Sequence, residues 1–278
     1  MKKILVPCDF SPAAEEAFHF STKIAEKNGS EIHLLYIIDS SLANNSASEL
    51  AHVASFNGVF MQKLEAQLQE KFQALKAKYD ADNISVNLSV ELGLLSQNIE
   101  RYITKEKIDV VVMGTNGASG LKEIFVGSNT EKIVRRAKVP VVAVPLGSST
   151  QRITNIVFPV DPAEDPSKYL KELRFIQNLF KSKLQMLWIN TPNIFKSDTE
   201  ALNDLQEFAE EYHLWDFKLN VRSDHTEQEG ILRFAAGIEG ALIFMPTHGR
   251  AGLAHWLTGS ITENVVNHVE CPVWTCSI

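Results

Sequence analysis

Three glycines and a serine stand at a spacing suited to an anion: Gly114-x2-Gly117-x9-Gly127-Ser128. Gly114 and Gly117 permit positive φ and close approach of the backbone to a ligand. Gly127 and Ser128 open a helical pattern, and the free N–H groups and positive dipole end of a helix start favour phosphate. The hydroxyls of Ser128 and Thr130 add donors. The same residues also have a purely structural use. Ser128-x-x-Glu131 is a capping box, repeated as Ser260-x-x-Glu263. A cap and a phosphate cradle can coexist there.

Asp9 follows Pro7 at the end of an apolar run. An acid in that place can take a ribose hydroxyl, or a Mg²⁺ bridging phosphates. It can equally form an Asx-turn or cap a helix opening near Ser11.

Other chemistry is excluded by pattern. The chain has no Walker A motif, which argues against fast P-loop ATP hydrolysis, and no G-x-S-x-G nucleophile elbow. No Cys/His set has zinc spacing. The three cysteines, Cys8, Cys271 and Cys276, form no C-x-x-C and suit a reduced compartment. Net charge is −7, so a phosphate backbone finds no basic surplus and nucleic acid is not an expected partner. The opening apolar run stops at Pro7, too short for a secretory segment, and no run reaches the ~20 residues of a membrane helix. The expected location is the cytoplasm, with no membrane partner.

The elements that must position these residues follow from periodicity. Lys2–Cys8, Ile32–Ile38, Ile84–Glu91, Ile108–Met113 and Val139–Val144 read as strands. Between them lie helical patterns. One runs from the Ser11-Pro12 start to the Asn28-Gly29 stop, and the others over Val59–Lys78, from about Ser96, and over Gly127–Lys138. Near-continuous apolar strands alternating with helices imply a parallel α/β sheet covered on both faces. Ligands of such doubly wound sheets sit beyond the strands' carboxyl ends. Asp9 and the first glycine lie at two such ends.

The pattern occurs twice. Met113–Val144 and Met245–Cys276 are identical at twelve positions without a gap. Ile4–Asp9 is echoed by Ile156–Asp161, at a shift longer by 20 residues, so the first copy carries an insertion. Residues 40–58, rich in Ser, Asn and Ala, are its expected place, either a lid over the ligand or a surface loop. The halves are 1–146 and 151–278, joined by a short polar linker. Residues 1–147 carry a net charge of −1 and the remainder −6.

On Val6-Pro7-Cys8-Asp9-Phe10-Ser11, Met113-Gly114-Thr115-Asn116-Gly117 and the full glycine run, the chain resembles the universal stress protein family, once per half. The resemblance implies two tandem doubly wound, Rossmann-like domains, each a five-stranded parallel sheet of order 3-2-1-4-5. It implies adenine-nucleotide binding, ATP or AMP, in a stress-response regulator. Pro7 and Asp9 would lie against adenosine, with Asp9 a candidate Mg²⁺ ligand. Ile37 would offer backbone groups to adenine, and Met113 and Gly114 would line the ribose side. Gly117, Gly127, Ser128, Asn129 and Thr130 would cradle phosphates. It also implies pairing of Val139–Val144 with Cys271–Cys276 as an internal pseudo-dimer; a further homodimer is possible on the same analogy.

The second half keeps Pro159, Asp161, Gly249, Gly259 and Ser260 but has Pro246 in place of the first glycine. Proline has no N–H and a fixed φ. Weak or no binding is therefore expected there, with His248 and Arg250 as compensating donors or plain turn residues. Lys132, Arg135, Arg136 and Lys138 read as a solvated helix face, with a partner-docking patch as the alternative. A slow ATP-hydrolysing or nucleotidyl-transfer enzyme ranks lower, because no general base is evident. A ligand-free interaction scaffold is the remaining alternative.

Overall fold

The computed structural model describes residues 1–38, 58–115, 133–134, 137–247, 262, 265–266 and 268–277. Gly117, Gly127–Thr130, Gly249, Gly259 and Ser260 lie outside them. So do residues 40–57 of the insertion, Lys132, Arg135, Arg136, His248 and Arg250. The described chain forms two compact units, Met1–Met113 and Gly114–Ile278.

The first unit begins with β1 (Lys3–Pro7) and α1 (Pro12–Asn28). α1 is bounded by local chemistry. Ser11 Oγ accepts the Ala14 N–H at its start, and Gly29 closes it at φ 70°, donating to Ala25 O. β2 (Glu31–Ile38), α2 (Gly58–Lys78), β3 (Val86–Leu92), α3 (Leu95–Glu106) and β4 (Val110–Thr115) follow. β2 pairs in parallel with both β1 and β3, and β1 pairs in parallel with β4. The strand order here is β3-β2-β1-β4. Ile4, Leu5 and Val6 are consecutive and all fully buried, so both faces of the sheet are covered.

The second unit contains β5 (Val141–Pro145), β6 (Asn155–Pro159), α4 (Leu170–Phe180) and β7 (Lys183–Asn190). It continues with α5 (Asp198–Glu211), β8 (Phe217–Ser223), α6 (Glu227–Ala236), β9 (Ala241–Thr247) and β10 (Val273–Ser277). Here the repeat shows all five of its strands, ordered β8-β7-β6-β9-β10 and all parallel. Counted within the repeat this is 3-2-1-4-5, the order the resemblance implies. β10 also pairs antiparallel with β5, with Trp274 opposite Val142. That strand pairing is the one the resemblance implies for Val139–Val144 and Cys271–Cys276.

One expectation needs correction, and one helix differs in length between the copies. Cys271 is not on a strand, because β10 starts only after Pro272, at Val273. The second copy does not repeat the first helix in full. α1 has 17 residues and α4 has 11, although their carboxyl ends correspond. Pro162 and Pro166 interrupt the start, and Asp165 caps a separate 3-10 turn at Pro166–Lys168.

Candidate functional site

In the first unit, β1 and β4 lie side by side, Ile4 opposite Val110 and Leu5 opposite Val111. Their carboxyl ends therefore bring Pro7–Asp9 and Met113 to one end of the sheet. β2 ends beside them, because the Cys8 N–H donates to Leu35 O at 2.9 Å, two residues before Ile37. Ile37 is half-buried and Met113 is buried.

Asp9 is exposed, and its Oδ1 accepts the Ser11 N–H at 2.9 Å. The Asx-turn is therefore real, and it fixes the carboxylate at the head of α1. Between them Phe10 adopts φ 61°. A bulky residue in the left-handed region is an outlier, and such strain collects at functional sites. The Phe10 ring lies 6.1 Å from that of Tyr36, with Lys71 Nζ 5.7 Å from its centroid. Sequence reasoning missed Phe10, Tyr36 and Lys71, since neither aromatic periodicity nor a helical lysine marks a strand end. Cys8 is buried beneath this turn. Burial pushes its thiol up to about 12, while the Phe10 N–H, 3.4 Å from Sγ, acts in the opposite sense.

Gly114 corrects an expectation. It lies inside β4 and is half-buried. The described glycines with positive φ are Gly29, Gly93, Gly147 and Gly240, so Gly114 is no left-handed turn residue. Pro246 takes the corresponding place inside β9. Pairing alternates along β9. The Ile243 N–H donates to Pro272 O on the β10 side, so the Pro246 nitrogen faces β6, whose pairing with β9 ends at Val157–Ile243. No ladder bond is lost, which is why proline is tolerated there.

In the second unit Asp161 repeats the turn, its Oδ1 accepting the Ala163 N–H at 3.0 Å. The surroundings differ. Pro159, Asp161, Glu164, Tyr169, Ile231, Met245 and Pro246 line a crevice with only about 10 Å³ free. That is room for about one water. Tyr169, 3% exposed, is the aromatic side chain in its wall. Its ring sits 6.0 Å from Phe158 and 6.0 Å from Phe244. The corresponding residues of the first repeat are Ala17, Val6 and Val112, all smaller. Ile189, the counterpart of Ile37, is fully buried, and Gly230 lets α6 press against it. Glu164 adds a second carboxyl beside Asp161. Burial first, and then the Asp161 charge, raise its pKa above the usual carboxylate range.

A larger hollow of about 1110 Å³, touching Arg152, Thr154, Glu239 and His268, opens at the amino-terminal edge of β6 and β9. That is the end opposite to where ligands of this fold sit. Among the described residues no group of three or more His, Cys, Asp or Glu is placed to hold a metal, and no helix is long and apolar enough to cross a membrane.

Comparison with known proteins agrees with this architecture. A universal stress protein from Synechocystis sp. is 26% identical over 294 residues, covering 99% of both chains. One from Methanocaldococcus jannaschii is 29% identical over 152 residues, covering 51% of this chain and 94% of its own. The crystal structure of a universal stress protein from Archaeoglobus fulgidus superimposes with a TM-score of 0.74 at 20% identity, covering 99% of this chain and 98% of that one. The universal stress protein family model matches residues 1–145 and again 153–277, and the chain therefore belongs to the universal stress protein family.

Proposed function

We propose that the protein is a nucleotide-responsive regulator that holds one adenine nucleotide, ATP or AMP, in its first half. The observation that carries this is the contrast between two equivalent strand ends. In the first unit Asp9 is exposed at the head of α1 beside a strained Phe10. In the second unit its counterpart Asp161 is half-buried, in a crevice that Tyr169 and Glu164 help to line and that has only about 10 Å³ free. Pro7, Asp9, Ile37, Met113 and Gly114 form the adenosine side in this reading. Gly117, Gly127, Ser128, Asn129 and Thr130 form the phosphate cradle. The functional domains are 1–146 and 151–278, and the paired strands β5 and β10 make one chain an internal pseudo-dimer.

Mg²⁺ keeps most of its water and takes one or two carboxylates together with substrate phosphates. Asp9, exposed and with one oxygen engaged in its turn, suits that partial role and no more. The metal would arrive with the nucleotide and neutralise its phosphates. Pro159, Asp161, Gly249, Gly259 and Ser260 then serve as a scaffold. The like charges of Asp161 and Glu164 repel an anion from the second crevice. Occupancy of the first half acts by changing what the protein's surface offers a partner.

The test is calorimetric titration of ATP with Mg²⁺ into the wild type and the Gly127→Val/Ser128→Val variant. One site, lost in the variant, is expected. Binding unchanged in the variant would remove the glycine run from the site.

A further inference from the structure

A chain of polar side chains crosses the packing between the first unit's sheet and α3. Glu31 and His33 lie two apart on β2 and share a face. Asn87 stands in register with His33 on β3, and Ser89 with Leu35. Tyr102 of α3 closes the group from above. His33 is 4% exposed. Its Nδ1 lies 3.1 Å from Tyr102 Oη, and that hydroxyl lies 2.9 Å from Ser89 Oγ. The two rings meet edge-on, 5.8 Å between centroids. On the other side His33 Nε2 approaches Glu31 Oε1 at 3.4 Å but makes no hydrogen bond. Asn87 Nδ2 donates to the same Glu31 oxygen.

The Glu31 carboxylate, 3.4 Å from Nε2, is the reason to place the imidazole proton there, and the rest of the chain then takes the following sense. A neutral imidazole with its proton on Nε2 faces Glu31 and accepts at Nδ1 from the Tyr102 hydroxyl. Tyr102 accepts in turn from Ser89. Protonating His33 makes Nδ1 a donor. The Tyr102 hydroxyl must then turn to donate to Ser89, and Ser89, half-buried, must turn its own proton away. Every link reverses, and a cation is left inside the packing. We propose that this chain is an acid-operated latch: protonation of His33 reverses its hydrogen bonds and releases α3 from β2 and β3 before the rest of the unit opens.

The charges around His33 set the sense of the effect. Burial is the largest influence and holds the imidazole below its ordinary value. Glu31 on its own strand pulls the other way, Lys3 on β1 adds to the burial, and Glu106 on α3 opposes it. Lys3 and Glu106 approach each other at 3.8 Å. At the far end of the chain Glu91 of β3 is held by Arg101 at 2.7 Å, so neither is free to compensate a charged His33. The folded value lies below the unfolded one of about 6.5. The latch is therefore complete above about pH 6.5 and is lost as pH falls through the folded value. α3 leads directly into β4, the strand that carries Met113 and Gly114.

Two measurements on the full chain test this. Long-range ¹⁵N spectra of the histidines across pH 4.5–8 report the tautomer and midpoint of His33. Hydrogen exchange corrected for intrinsic rates reports protection of α3 against α1. The expected result is an Nε2–H tautomer at high pH and a midpoint below about 6.5. α3 protection should fall over the same range, by up to about tenfold for each pH unit separating the folded and unfolded values, while α1 is unaffected. His33→Gln, which keeps an acceptor for Tyr102, should abolish the acid-dependent loss. Tyr102→Phe should lower α3 protection already at neutral pH. A His33 that titrates at its ordinary value overturns the latch. So does α3 protection that falls equally in wild type and His33→Gln.

Discussion

Replacing Tyr169 by alanine tests the difference between the two halves of this protein. Its ring is packed between Phe158 and Phe244, both centroids 6.0 Å away, in a crevice with about 10 Å³ left over. Truncating a buried aromatic to alanine costs about 3–5 kcal/mol, since burial is lost and the neighbours cannot collapse into the space. The two ring contacts account for about 0.5–1.5 kcal/mol each of that. With a urea dependence of about 2 kcal/mol/M, the unfolding midpoint should drop by about 1.5–2.5 M. The assay is convenient, because all four tryptophans, Trp188, Trp215, Trp256 and Trp274, belong to the second half. Their fluorescence follows that half alone. A midpoint shift below about 0.5 M, or ~1 kcal/mol, would show that the ring does not pack into the crevice wall, and the contrast behind the one-site proposal would go with it.

Three further outcomes are expected. Gly240→Ala should destabilise by at least about 2 kcal/mol in the same denaturation assay, because φ +62° alone opposes a side chain. A Cβ there would also stand 2.5 Å from Arg152 O. The thiols of Cys8, Cys271 and Cys276 are buried, outside any disulfide and each raised to about 12, so a thiol reagent at pH 8 should react only on unfolding; rapid labelling of the native protein would contradict this. Glu164 has a raised folded value, so its cost is absent below its unfolded value of about 4.3 and grows as pH rises through the folded one. Glu164→Gln should therefore raise Tm at pH 7 and leave it unchanged near pH 4.

Cap chemistry made some boundaries readable from sequence. Ser11-Pro12 and Asn28-Gly29 define α1 to the residue, because both signals act within a turn of the chain they end. The alternation of apolar strands and helices gave the parallel sheet for the same reason: burial on both faces leaves a continuous apolar run. β4 starts and ends two residues later than the Ile108–Met113 reading, since Gly114 and Thr115 stay extended. The Leu146 N–H donates to Thr115 O at 3.1 Å. The second half's departure was harder to see. The glycine run and final strand align well there, whereas Pro162 and Pro166 rebuild the helix start. The usable signal was the enlargement of Val6, Ala17 and Val112 to Phe158, Tyr169 and Phe244 at the established shifts. No periodicity shows that these three meet; only the packing of β6, β9 and the turn before α4 brings them together. Phe10 was equally hidden, since its strain depends on the Asx-turn that Asp9 makes.

Native mass spectrometry of the full chain with ATP and Mg²⁺, across a ligand series reaching saturation, tests the central claim most directly. The account predicts one nucleotide per chain, with a single occupied state at saturation that Asp161→Ala leaves intact. Two nucleotides per chain would show that Tyr169 yields to ligand. None would leave the first-half strand ends and their glycines as structure alone.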